Sequence, residues 1–181
     1  DYTVQEVMTF VEENDVKFIR LAFCDIFGNQ KNISIMPEEL PTAFSIGINF
    51  DSFLVLGYDD SLYQDLYLKP DPGTLSVLPW RPQQGRVIRF YCDVVLPDGT
   101  PFPYDARKFL KDTLLECADM GFSCRIGLKS EFYLFKTDEE GRSTDEPWDE
   151  GGYLDISPLD RGENIRREIC LCLEEMGIQP E

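Results

Sequence analysis

At 181 residues the chain can form one domain of ordinary size or two small ones, and 43% apolar residues supply a packed core. Its 34 acidic and 17 basic residues give a formal charge of -17, a field that repels phosphate backbones and anionic headgroups and excludes nucleic acid and membrane surfaces as partners. There is no histidine, so Ser-His-Asp and Cys-His nucleophile systems and imidazole metal ligands are excluded, and acid-base chemistry falls to carboxylates, lysine or tyrosine.

In chain order, Thr3-Val-Gln-Glu6 reads as a capping box, with Val4, Val7, Met8 and Val11 as the apolar stripe of the helix it starts. Residues 16 to 25 (VKFIRLAFCD) predict a strand, Phe27-Gly-Asn-Gln30 a turn and 31 to 35 a second strand, together a hairpin. From Pro37 to Pro82, prolines at 41, 70, 72 and 79 interrupt any period, and short helices and loops are expected rather than regular elements. Residues 86 to 96 (RVIRFYCDVVL) are the strongest strand signal, closed by a Pro97-Asp-Gly99 turn, with a boundary near 97 to 103.

Asp105 can cap a following helix with the apolar face Phe109, Leu110, Leu114, Cys117 and Ala118, stopped by Gly121. Strands are expected at 122 to 126 and 130 to 135. The acidic stretch from Lys136 to Gly152 reads as a solvated loop rather than a cation site, because nothing fixes the geometry of its carboxylates. Asp160-Arg-Gly-Glu163 predicts the cap of a last helix carrying Ile165, Ile169, Cys172, Leu173 and Met176 and ended by Gly177. A strand-helix-strand-helix succession without further strands leaves a sheet face uncovered, so the second domain is expected to be incomplete and to associate.

The six cysteines are scattered without C-x-x-C spacing and read as buried small apolar residues rather than zinc ligands or disulfides. No apolar run approaches the roughly 18 to 20 residues of a membrane span, and no signal-like segment is present, so a cytoplasmic protein is expected.

Several blocks in collinear order resemble the glutamine synthetase family: VKFIRLAFCDIFG (16 to 28), FD (50 to 51), DLYLKPDP (65 to 72), VLPWRP (77 to 82), RFYCDVVLPDGTPF (89 to 102), EFYLF (131 to 135), GYLDISPLD (152 to 160) and RREICLCLEEMGI (166 to 178). The resemblance implies an α+β fold, with an N-terminal β-grasp domain over residues 1–98 and an incomplete, truncated α/β portion of the catalytic domain over 99–181. It further implies ATP-dependent ligation of ammonia to glutamate through a γ-glutamyl phosphate, with Mg2+ or Mn2+ as metal, in a homo-oligomer whose sites lie between subunits. The fragment alone is expected to be inactive.

Two positions carry the family's site. Asp51 matches the aspartate of an F-D-G-S-S loop that binds and deprotonates ammonium, although Ser52, Phe53 and Leu54 replace Gly-Ser-Ser; a plain loop carboxylate is the other reading. In GLKSEF (127 to 132) the family pattern is G-P-E-x-E-F, with two metal-binding glutamates on one strand face. Glu131 is retained as the metal position and Lys129 replaces the first glutamate, so one metal site is expected to be absent or rebuilt, unless Glu131 simply pairs with Lys129. The alternatives are a γ-glutamyl-amine ligase paralogue, favoured by the changed loop, and a non-catalytic regulatory or structural subunit, favoured by Lys129.

Overall fold

Helix α1 (Val4–Glu13) starts where the capping box places it: Thr3 N donates to Glu6 Oε2 at 2.7 Å and Glu6 N donates to Thr3 Oγ1 at 3.3 Å. The structure, a computed structural model, describes residues 2–58, 65–81 and 84–180, and divides into two compact units, residues 1–124 and 125–181. In the first, Val7 and Val11 of α1 are buried while Val4 stays exposed. The inward stripe is thus narrower than the periodicity suggests.

Strands β1 (Val16–Cys24) and β2 (Gln30–Ile35) form the expected antiparallel hairpin, in register from Ile19 opposite Ile35 to Cys24 opposite Gln30. Gly28, at φ 80°, takes the left-handed turn position that side chains resist. The turn is tied by Asp25, 1% exposed, whose Oδ1 accepts from Phe27 N and Asn29 N, both at 2.9 Å, while Lys31 Nζ lies 3.4 Å from Oδ2. Burial alone would push this carboxyl up; the hydrogen bonds from Asn29 and Phe27, with Lys31, outweigh it and hold the pKa below the ordinary carboxylate range.

A depressed folded-state pKa means that Asp25 contributes stability above its unfolded pKa and loses it as pH falls through the lower folded value. Asp25→Asn should therefore flatten the loss of stability as pH falls below the ordinary carboxylate pKa of about 4. Urea unfolding of both proteins across that range checks this, and parallel curves would refute it.

The middle of the chain corrects the expectation of irregular structure. Beside the short helix α2 (Leu40–Ser45), strands β3 (Ile48–Asp51) and β4 (Asp65–Pro70) pair antiparallel from Ile48 opposite Leu68 to Asp51 opposite Asp65. In β4, Leu66, Leu68 and Pro70 are buried and Asp65 and Lys69 exposed, a period-2 pattern masked by the prolines around it. Pro70 is tolerated because it ends the strand.

The short β5 (Ser76–Val77) and the long β6 (Arg86–Val95) complete a mixed sheet of order β2-β1-β6-β4-β3, with β5 also against β6. β1 and β6 run parallel, and the other pairs are antiparallel. Val7 and Val11 of α1 and Leu40 and Ala43 of α2 join Ile19, Leu21, Ile88 and Phe90 of the sheet in one buried cluster. This is the α+β, β-grasp arrangement the resemblance implies.

Helix α3 (Ala106–Asp119) begins at the predicted cap. Asp105, 2% exposed, accepts from Arg107 N at 3.0 Å and from Val94 N at 3.1 Å, which joins the helix start to β6. Burial raises the Asp105 pKa against these hydrogen bonds. Arg107 pairs with Asp93 at 2.9 Å and with Asp71, and Lys111 with Asp93 at 2.7 Å. No residue of α3 is buried, so the stripe of Phe109, Leu110 and Leu114 faces solvent in this chain. Helical periodicity marks a face that suits burial without supplying the partner that buries it.

The second unit departs most from expectation. Residues 122–134 form neither predicted strand; a two-stranded sheet, β7 (Phe135–Thr137) antiparallel to β8 (Ser143–Pro147), forms instead. Apolar and aromatic runs suit a pleated surface only where a neighbouring strand takes their backbone hydrogen bonds, and residues 122–134 have none among the described residues. β8 lies inside the stretch expected to be a loop. Helix α4 (Glu163–Glu175) has Gly162 as N-cap without a side-chain hydrogen bond; Asp160 instead accepts from Gly162 N at 2.9 Å and pairs with Arg166. Gly162 is the one buried residue among those described from 125 onward.

The cysteines also need correction: all six are free, but Cys92 alone is buried and Cys124 is exposed.

Candidate functional site

Asp51 ends β3 and is the N-cap of a 3-10 turn, Ser52–Leu54. Its Oδ1 accepts from Phe53 N at 3.0 Å; no hydrogen bond engages Oδ2 among the described residues. Asp65 stands directly opposite across the β3–β4 ladder. Two carboxylates facing each other repel, and a cation between them relieves the repulsion.

The loop after Asp51 is pinned from below and apolar above. Ser52, Val55 and Tyr58 are buried, Val55 N donates to Ser52 O and Tyr58 N to Val55 O, both at 2.9 Å, and the Tyr58 hydroxyl donates to Cys24 O at 3.2 Å. Burial raises the Tyr58 pKa, followed by the charges of Asp105 and Asp25, so the phenol stays a donor. Gly57 sits at φ 87°, and a Cβ there would come within 2.3 Å of Ile26 Cδ1, so the loop approaches the β1–β2 turn as closely as glycine allows. Phe53, Leu54 and Leu56 are 50%, 83% and 65% exposed. This apolar rim beside Asp51 was missed in the sequence, where no period marks it.

Lys129 and Glu131 belong to the second unit, and both are exposed. They lie outside any strand, so the shared strand face expected of them is not formed, and no ion pair joins them among the described residues. Leu128 and Tyr133 beside them are also exposed. After Leu134, whose carbonyl accepts from Trp148 N at 2.8 Å, the chain enters β7. In the acidic hairpin that follows, Asp138 accepts from Arg142 N and Nε, both at 2.8 Å, and Glu146 pairs with Lys136. Among the described residues no group of three or more Asp, Glu, Cys or His is placed to hold a metal ion.

Two family descriptions match the chain: glutamine synthetase, beta-Grasp domain, over residues 15–97, and glutamine synthetase, catalytic domain, over residues 103–181. The chain belongs to the glutamine synthetase family. The glutamine synthetase of Clostridium saccharobutylicum is 44% identical over 180 residues, which is 99% of this chain and 41% of that protein. That of Methanosarcina mazei is 45% identical over 179 residues, 99% of this chain and 40% of that protein. The chain thus spans about two fifths of the length of the curated relatives it matches.

The fold agrees with solved structures, one of them a glutamine synthetase. A cryo-EM structure of Plasmodium falciparum glutamine synthetase superposes with a TM-score of 0.76 at 16% identity, over 100% of this chain and 41% of that one. A structure described as a GmaS/ADP complex gives 0.72 at 23% identity, over 94% of this chain and 39% of that one. At these identities the likeness concerns the fold alone. Among the described residues, no helix is long and apolar enough to cross a membrane.

Proposed function

We propose that this chain is the N-terminal part of a glutamate-ammonia ligase, with Asp51 as the carboxylate that binds ammonium and takes its proton. The observation that carries this reading is Asp51 at the end of β3 with one oxygen engaged by Phe53 N, the other unengaged among the described residues, and Asp65 opposite, in a chain matched to glutamine synthetases along 99% of its length. Engagement of Oδ1 fixes the carboxylate, while Oδ2 can accept from an N–H of ammonium and then its proton. Glutamate and ATP as further substrates, a homo-oligomer, a cytoplasmic setting and a domain division at residues 98 and 99 belong to the same reading.

Glu131 is the metal-ligand position in this reading, with ATP and Mg2+ or Mn2+ as the cofactors. The residues of this chain do not fit a divalent ion by themselves: Glu131 is a single exposed carboxylate and Lys129, two positions earlier, is a cation that repels it. Lys129→Glu in the full-length protein should tighten magnesium binding by about tenfold or more, equivalent to about 1.4 kcal/mol. Calorimetric titration checks this, and unchanged affinity would remove Lys129 from any role at a metal site.

Two observations favour other readings. Exposed Phe53 and Leu54 beside Asp51 suit an amine carrying an alkyl group, hence a γ-glutamyl-amine ligase; Lys129 suits a non-catalytic regulatory or structural subunit. Phosphate release from ATP and glutamate by the full-length protein separates them: ammonia supports the first reading, amines only the second, neither the third. The 181-residue chain alone is expected to form no glutamine in the same assay, and measurable product would refute that.

A further inference from the structure

The sheet of the first unit has a polar face that the proposed reaction does not use. Residues opposite each other across a ladder project to the same side, and the registers Ser34 to Arg20, Arg20 to Arg89 and Arg89 to Ser76 set these four in one row across β2, β1, β6 and β5. Their strand neighbours Ile19, Leu21, Ile88 and Phe90 are fully buried in the core, so the row lies on the opposite face. There Lys17, Phe18, Arg20, Ser34 and Arg81 line a cavity of about 510 Å3.

This is a cluster of cations in a chain of charge -17. With carboxylates in twofold excess, an arginine should readily find a partner, yet among the described residues none of Arg20, Arg81 and Arg89 forms an ion pair. Lys17 alone is paired, with Asp15 at 3.1 Å, both side chains being largely exposed. Arg89 is held against the sheet by Tyr91, its guanidinium carbon 4.4 Å from the ring centroid, and its Nε is buried without a hydrogen-bond partner, as is Ser76 Oγ. Buried donors of this kind are uncommon; Arg89 and Ser76 continue the row of Arg20 and Ser34 but do not line the cavity.

The backbone beside the cavity is irregular too. Val16 faces Arg86 and Phe18 faces Val87, so Lys17 is an extra residue on β1, a bulge that re-aims its side chain. Its stem packs on Gly85, where an added Cβ would lie 3.3 Å from Lys17 Cγ.

We propose that this face binds a small, multiply charged oxyanion, clamped by the guanidinium forks of Arg20 and Arg81 with Lys17 at the rim and Phe18 as an apolar wall. Planar guanidinium donors match the paired oxygens of carboxylates and phosphates, and Arg20 and Arg81 line one cavity with no ion-pair partner among the described residues. In the sheet order, β6 and β4 separate β1 from β3, the strand that ends in Asp51, so the anion and ammonium sites occupy different strands.

The test is calorimetric titration of the 181-residue chain with succinate and, separately, with inorganic phosphate, at an ionic strength held constant with sodium chloride. At least one of the two should bind, and Arg20→Ala and Arg81→Ala should each weaken that binding by about tenfold or more. Arg20→Lys and Arg81→Lys, which keep the charge and lose the fork, should lose affinity as well. Lys136→Ala, a charge removed from the second unit, should leave it unchanged. Succinate alone identifies a carboxylate metabolite as the ligand class, and phosphate alone a phosphorylated one.

Far-UV circular dichroism confirms that each variant is folded. The proposal is overturned if neither anion binds, if both alanine variants bind as the parent does, if Lys136→Ala weakens binding equally, or if the arginine variants alter only self-association measured by sedimentation.

Discussion

If Asp51 is the proposed ammonium base, Asp51→Asn in the full-length protein is expected to lower the rate of glutamine formation by about 100- to 10,000-fold, the usual contribution of a positioned general base. Asparagine keeps a side-chain oxygen to accept from Phe53 N, so the 3-10 turn after β3 is retained while the charge and the proton-accepting oxygen are lost. Asp51→Ala should lose the same activity and, in addition, about 1 kcal/mol of stability for the missing cap. Comparing the two variants separates chemistry from loop structure. If Asp51→Asn retains activity within about threefold while Asp51→Ala is merely destabilised, Asp51 is a capping residue and the ammonium role is wrong.

Phe90→Ala destabilises the first unit by about 3–5 kcal/mol, the range for removing a buried aromatic ring and leaving its cavity. Phe90 is fully buried on β6, opposite Leu21 of β1, and its ring meets Phe44 of α2 edge-on with centroids 5.7 Å apart. It therefore touches the sheet and a covering helix at once, so the cavity cannot be closed by one neighbour moving. Against a typical total of about 5–15 kcal/mol this is a large share. Urea unfolding should show a lower midpoint with an unchanged slope. Phe53→Ala, at a half-exposed loop position, should stay within about 0.5 kcal/mol of the parent. A Phe90→Ala loss below about 1 kcal/mol would mean that β6 is not the centre of this core.

The contrast between these two phenylalanines shows where sequence reasoning reached and where it stopped. The Thr3–Glu6 capping box, the β1–β2 hairpin, strand β6 and the Asp105 cap were all legible, because each signal is carried by residues a few positions apart. The pairing of β3 with β4 was not, since short strands among prolines show no period until each has found its partner. At residues 122–134 the error was the reverse: a strong strand composition without a partner strand among the described residues. The Asp160 cap failed because Arg166, six residues away, takes that carboxylate, and either partner was equally visible in the sequence.

The candidate positions divide in the same way. Asp51, Glu131 and Lys129 were singled out from their places in collinear blocks, and those blocks alone pointed to the glutamine synthetase family that the chain proved to match. The engagement of Asp51 Oδ1 by Phe53 N, the facing Asp65 and the apolar rim of Phe53, Leu54 and Leu56 depend on a turn and a register no local pattern contains. The row of Ser34, Arg20, Arg89 and Ser76 is the extreme case, four residues from four strands with nothing in common along the chain.

The order of its motifs therefore determined by sequence alone which family the chain joins. The tertiary structure decided which strands pair, which amphipathic faces find cover and which cations are left without carboxylates. The physical reason is range. Caps, turns and periods are local interactions written in neighbouring residues, whereas strand register and burial depend on groups such as Val16 and Arg86 that become neighbours only when the chain has folded.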